Sequence, residues 1–167
     1  DAVSNALKIG YTLLDDSDTY NNFSQIKKAI YKAGVRRKNI FITSRVDNRA
    51  QFNGNVREAF FETLRQLDTD YLDMYQFHWP VTDCYINTWK EMVKLYKEGY
   101  IKVLGVANCK EHHLKEIMDA SDIIPSVNQF EVHPLFTQKK LIAFCKSYNI
   151  QVESYTPLAR SDDRLVR

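Results

Sequence analysis

The chain has 167 residues, 44% of them apolar and 26% charged, with a formal net charge of +2. That length suits one domain with a real core, expected to span 1–167, and the fractions are those of an ordinary water-soluble protein. Lys and Arg are scattered, so neither nucleic acid nor a membrane is favoured as a partner, and no apolar run is long enough to span a bilayer. Residues 1–9 read as the end of a helix closed by Gly10, and 11–15 as a short strand. A helix is expected over 23–32 with Gly34 as its stop. The run Ile40, Phe41, Ile42, Thr43 makes 39–45 a strand. Val56, Phe60, Leu64 and Leu67 recur at helical spacing, giving an amphipathic helix over 55–67. The third strand covers 71–78 and runs into Pro80. After it come a helix over 86–96 ending near Gly99, a strand over 101–106 and a helix over 111–120. A strand over 126–131, a helix over 138–148 and a strand over 150–155 complete the series.

Strand and helix alternate roughly every 25–30 residues, the rhythm of a parallel α/β sheet. A doubly wound sheet usually carries a Gly-rich phosphate turn, and this chain has five glycines and no GxGxxG. A (β/α)8 TIM barrel fits better but usually needs about 250 residues. The expected fold is therefore a partial barrel of about six βα units, lacking the first strand and the last unit. The strand-like runs end at Asp15, Arg45, His78, Asn108, Gln129 and Tyr155. In such barrels chemistry gathers at the carboxyl ends of the strands. Cys84, Cys109 and Cys145 are odd in number and far apart, which argues against a disulfide framework and for a reducing compartment, the cytoplasm. No signal peptide is visible, but the chain opens on Asp1, and a removed leader would leave no trace.

Four stretches carry a family resemblance: Gly10-Tyr11-Thr12-Leu13-Leu14-Asp15 with Tyr20-Asn21-Asn22; Leu72-Asp73-Met74-Tyr75-Gln76-Phe77-His78-Trp79-Pro80; Gly105-Val106-Ala107-Asn108; and Val127-Asn128-Gln129-Phe130-Glu131-Val132-His133-Pro134 with Tyr155-Thr156-Pro157-Leu158. In this order they resemble the aldo-keto reductase family. The resemblance implies reduction of a small-molecule aldehyde or ketone with a nicotinamide cofactor, usually NADPH, with NADH a second option. Tyr20 would be the general acid. A phenol with a pKa of about 10 needs a neighbouring cation to donate well near neutrality. Asp15 would hold that cation, and His78 would orient the carbonyl and stabilise charge on its oxygen. Asn108 and Gln129 would bind the nicotinamide carboxamide, Tyr155 would stack on its ring, and Leu158 falls on the same cofactor side.

Each position also has a structural reading. Asp15 could cap a loop, Tyr20 is one of ten tyrosines, and His78 could be a satisfied core histidine. Asn108 and Gln129 could cap the following segments, and Tyr155 could be barrel packing. Cys109, His112 and His113 cluster without a second ligand pair at zinc spacing, so no metal site is expected. The chain departs from the family where a lysine is expected and Arg45 stands. A guanidinium keeps the charge but favours a bidentate grip on a carboxylate, so proton donation at Tyr20 is expected to weaken. Asp16-Ser17, Phe23, Lys27, Val46-Asp47-Asn48 and Ala107 also differ from the family pattern. The alternative is a cofactor-binding or regulatory relative that has lost turnover through Arg45. Unpaired apolar strand edges would favour self-association.

Overall fold

The computed structural model describes residues 2–165. The first helix, α1 (Ala2–Lys8), ends where Gly10 takes a φ of 104°. Asp1, the first residue of that expected helix end, lies outside the described residues. Six strands follow: β1 (Leu13–Asp15), β2 (Phe41–Val46), β3 (Leu72–Phe77), β4 (Ile101–Ala107), β5 (Val127–Glu131) and β6 (Gln151–Tyr155). They form one sheet in the order β1-β2-β3-β4-β5-β6, parallel at every pair. Parallel neighbours need a crossover. The crossovers are α2 (Phe23–Ala33), α3 (Asn48–Asn53) with α4 (Val56–Leu67), α5 (Tyr85–Lys97), α6 (Glu111–Ala120) and α7 (Lys139–Ser147). The expected partial (β/α)8 arrangement is what forms. β1 and β6 are the edge strands, each with one neighbour among the described residues.

The core lies between this sheet and the helices. β3 is buried from end to end, and α4 buries Val56, Phe60, Leu64 and Leu67 at the helical spacing read from the sequence. The Phe60 ring meets Tyr75 of β3 edge-on at 5.0 Å. Trp89, Met92 and Leu95 of α5 add fully buried apolar groups. Removing one such aromatic costs about 3–5 kcal/mol through lost transfer energy and the cavity left behind. Gly105 is required by close approach, because a Cβ there would stand 2.9 Å from Gln76 of the neighbouring strand.

Asp73 is the one charged group inside β3. Ile42 N–H donates to its Oδ2 at 3.0 Å, Arg37 Nη1 lies 2.7 Å from the same oxygen, and Lys102 Nζ donates to Oδ1 at 2.9 Å. Burial pushes its pKa up, but these three donors together hold it below the usual value.

The structure differs from the expected elements in several places. β1 is three residues, shorter than the expected strand over 11–15. A 3₁₀ turn, Asp18–Tyr20, precedes α2. The extra helix α3 follows β2, started by Asp47, whose carboxylate accepts from Ala50 N–H at 2.7 Å, and ended by Gly54 at a φ of 69°. Six residues are too few to show a helical period, so only these two caps announce it. No helix among the described residues is long and apolar enough to cross a membrane.

Candidate active site

β1 ends on Asp15, and the chain turns at once. Asp16 N–H donates to Thr43 O at 3.0 Å, and the Asp16 carboxylate accepts from Ser17 N–H at 2.9 Å. With the Asn22 amide turned to donate, both Asp16 oxygens accept from it, at 2.9 and 3.0 Å. Burial raises the Asp16 pKa and neighbouring Asp15 adds to this, while the Ser17 amide and Arg45 oppose. Ser17 then caps the 3₁₀ turn, and Asn21 closes it at a φ of 50°. This short turn carries Tyr20 to the rim with its side chain 55% exposed.

Arg45 comes from β2 and is only 3% exposed. Its Nη2 donates to Asp15 Oδ2 and to Gln129 Oε1, both at 2.7 Å, and its Nη1 donates to Asp16 O at 2.9 Å. Tyr20 is not among its hydrogen-bond partners. Gln129 Nε2 donates to Glu153 at 2.9 Å and, more weakly, to Asp15 at 3.4 Å. The guanidinium thus ties β1, β2 and β5 together, and it takes up the amide oxygen of Gln129.

His78 follows β3 directly. Its backbone N–H donates to Val46 O at 3.2 Å, and its Nδ1 lies 3.3 Å from Ser17 Oγ. The ring meets Tyr20 edge-on, with centroids 6.3 Å apart. Burial lowers its pKa and the Arg45 charge lowers it further, against Asp15 and Asp47. Both effects push the imidazole toward its neutral form.

Asn108 follows β4 in the left-handed region, at a φ of 59°. Its N–H donates to Gln129 O at 2.8 Å and its Nδ2 to His78 O at 2.9 Å, while its Oδ1 accepts from Tyr155 OH at 2.8 Å. Tyr155 closes β6.

These side chains meet on one cleft of about 340 Å³ at the carboxyl ends of the strands. Asp15, Tyr20, Arg45, His78, Asn108, Gln129 and Tyr155 all line it, beside Trp79, Ala107, Thr156 and Arg160. Leu158 does not line it and is 59% exposed. Arg160 was missed by the sequence reading, since it sits in an irregular segment after β6 with a left-handed φ of 55° and no motif. A larger cleft of about 660 Å³ between the starts of α6 and α7 contains none of the rim residues. The smaller one gathers a phenol, an imidazole, an ion pair, two amides and a second phenol ring around one space. No group of three or more His, Cys, Asp or Glu among the described residues could hold a metal ion.

A model of the Aldo/keto reductase family matches residues 1–161. The chain is 42% identical over 158 residues to a glyoxal reductase of Bacillus subtilis (strain 168), covering 95% of this chain and 57% of that protein. It is 39% identical over 173 residues to methylglyoxal reductase DkgA of Escherichia coli (strain K12), covering 99% of this chain and 62% of that protein. Among solved structures, an aldo/keto reductase from Brucella melitensis superposes with a TM-score of 0.91 at 38% identity, covering 95% of this chain and 62% of that one. A Bombyx mori aldo-keto reductase in complex with NADP does so with a TM-score of 0.84 at 31% identity, covering 93% of this chain and 55% of that one. The chain spans less than two thirds of the length of these relatives.

Proposed function

This chain belongs to the aldo/keto reductase family, and from that premise we propose that the protein reduces an aldehyde or ketone to the alcohol. The observation that carries the reading is the convergence of Asp15, Tyr20, Arg45 and His78 from three successive strand ends on one cleft. Tyr20 gives its phenolic proton to the carbonyl oxygen. The neutral His78 ring hydrogen-bonds the same oxygen and spreads its developing charge. Arg45, held by Asp15, supplies the positive field beneath them. A nicotinamide cofactor, when bound, supplies the hydride.

The residues opposite fit such a cofactor in chemistry. Asn108 and Gln129 offer amide donors and acceptors for a carboxamide, Ala107 leaves room, and Tyr155 offers a flat face. Both amides are already engaged within the chain, so the cofactor must compete with Arg45 for Gln129 and with Tyr155 for Asn108. Leu158 joins that side only if the segment after β6 moves. The NADP-bound relative makes NADPH the first cofactor to test and NADH the second. The names of the glyoxal and methylglyoxal reductases recommend small 2-oxoaldehydes as first substrates, which suits a cleft of about 340 Å³. The three free cysteines support a reducing compartment such as the cytoplasm. The open edges of β1 and β6 would pair with further strands or with a second copy.

A second reading is favoured by one specific contact set. Arg45 spends its nitrogens on Asp15, Asp16 O and Gln129 and none on Tyr20, as expected of a protein that keeps the cofactor site but has lost turnover. NADPH fluorescence titration, followed by glyoxal, methylglyoxal and simple aldehydes, separates the two. Binding with turnover supports the reductase. Binding without turnover, restored in Arg45→Lys, supports the cofactor-binding relative. Absence of NADPH and NADH binding would sink both.

A further inference from the structure

Ser17 has no role in the chemistry described so far, yet every polar atom it has is committed. Its N–H donates to Asp16 Oδ1 at 2.9 Å, and its O accepts from Tyr20 N–H at 3.0 Å. Its Oγ accepts from Thr19 N–H at 3.4 Å and lies 3.0 Å from Thr19 Oγ1 and 3.3 Å from His78 Nδ1. The residue is wholly buried, at 0% exposure. It is thus the covalent and hydrogen-bonded joint between the two rings that share the cleft.

We infer that Ser17 is a positioning residue that donates its hydroxyl proton to His78 Nδ1, fixing the imidazole as its Nε2–H tautomer while capping the turn that carries Tyr20.

A serine hydroxyl has one proton to give and two lone pairs to fill. Thr19 N–H fills one lone pair. Thr19 is exposed, so its own hydroxyl oxygen is served by water and its O–H is free to fill the other. That leaves the Ser17 proton for His78 Nδ1. Nδ1 then carries no proton, and Nε2–H, which has no partner among the described residues, is the ring donor left for the cleft. The opposite arrangement, with Nδ1–H donating to Ser17 and Ser17 donating to Thr19, would leave a bare Nε2 that repels a carbonyl oxygen. A neutral histidine polarises a carbonyl only as a donor, so the bond Ser17 makes on the far side of the ring decides whether the near side is useful.

This rests on the reductase reading for its purpose but not for its test. The tautomer is read by ¹⁵N NMR of histidine-labelled protein without cofactor or substrate, with the His78 signals assigned by their loss in His78→Asn. The unmodified protein should show Nε2 protonated and Nδ1 bare. Ser17→Ala should convert this to a mixture of tautomers. Thr19→Val, an exposed change that leaves the Ser17 hydroxyl in place, should leave the tautomer unchanged. Proton on Nδ1 in the unmodified protein, or a Ser17→Ala spectrum with unchanged tautomer ratio, would overturn the inference. So would a tautomer shift in Thr19→Val, because only the opposite arrangement needs the Thr19 oxygen as acceptor; this arm decides the matter even if Ser17→Ala fails to fold. Where the protein turns over methylglyoxal, Ser17→Ala should lower kcat about tenfold with KM little changed, since the lost hydrogen bond acts mainly on the transition state. An inactive protein with the expected tautomer would refute the reductase reading and leave the Ser17 assignment standing.

Discussion

Two carboxylate–guanidinium pairs stand at opposite ends of the same sheet, and they are built in opposite senses. At the amino end the acid is the buried partner. Asp73 is 7% exposed and takes donors from Ile42, Arg37 and Lys102. Arg37 is in turn spent on Thr69, Ile40 O and Tyr71 O, and lies 4.1 Å over the Tyr71 ring. At the carboxyl end the base is the buried partner. Arg45 is 3% exposed while Asp15 is 39% exposed and lines the cleft. The lower cluster buries its carboxylate and leaves only its cations, Arg37 and Lys102, in reach of solvent, so its acid can do little but hold strands together. The upper pair buries a cation and leaves its counter-ion open, so its charge can still be felt by whatever enters.

The largest effect should come from opening the lower clasp. Asp73→Ala leaves the Ile42 amide without its acceptor and Arg37 without its counter-ion, which should cost about 3 kcal/mol, read from urea denaturation. A loss as small as that of a surface pair would erase the contrast between the two ends. At the upper pair, Arg45→Lys should cost only about 1 kcal/mol of stability, because one ammonium cannot reach Asp15, Asp16 O and Gln129 together. It should instead raise carbonyl reduction about a hundredfold by moving positive charge toward Tyr20. Steady-state rates with methylglyoxal check this, and equal rates for the two proteins would mean that the wide cation already serves Tyr20.

A third acid sharpens the comparison because no cation is paired with it among the described residues. Asp18, in the turn before Tyr20, accepts from Thr63 Oγ1 at 3.0 Å. Burial pushes its pKa up to about 7, with Asp47 adding to the shift and Thr63 opposing it. The folded state then keeps a proton that the unfolded chain, with a carboxylate pKa of about 3.9, has released. Asp18 therefore makes stability fall as pH rises between about 4 and 7, and no further above that. Asp18→Asn should flatten that window and add about 2 kcal/mol at pH 7.5, with little gain at pH 4, in thermal melts. Asp73 has the reverse sign. Its depressed pKa gives stability that is complete above about pH 4 and lost as pH falls through the folded value. The smallest effect follows: the cost of Asp73→Asn should shrink at pH 3 relative to pH 7, measured by the same melts.

Much of this arrangement was legible in the sequence, for reasons that can be traced. The sheet was readable because apolar runs alternate with helical spacing, and a parallel sheet puts every strand's carboxyl end on one rim. That alone brings Asp15, His78 and Asn108 near each other. What they bond to was not readable. Arg45 meets Gln129 across 84 positions and Ser17 meets His78 across 61, and such contacts leave no local pattern. Ser17 registered only as a departure from the family, because its work is done through a ring 61 positions away. The helix α3 and the Asp18–Tyr20 turn were too short for a period, so their caps were the sole signal. Arg160 had none, because its place in the cleft depends on the path of an irregular segment.

Asn108 carries one more consequence. Its amide, its side-chain nitrogen and its side-chain oxygen fasten β5, the residue after β3, and β6 to the end of β4. Since the amide proton is held by Gln129 O, it can exchange with solvent only when β4 and β5 part at the rim. Its deuterium uptake is therefore a clock for the opening of the cleft floor, slow while the lacing holds and quickened by anything that draws Tyr155 or Gln129 away.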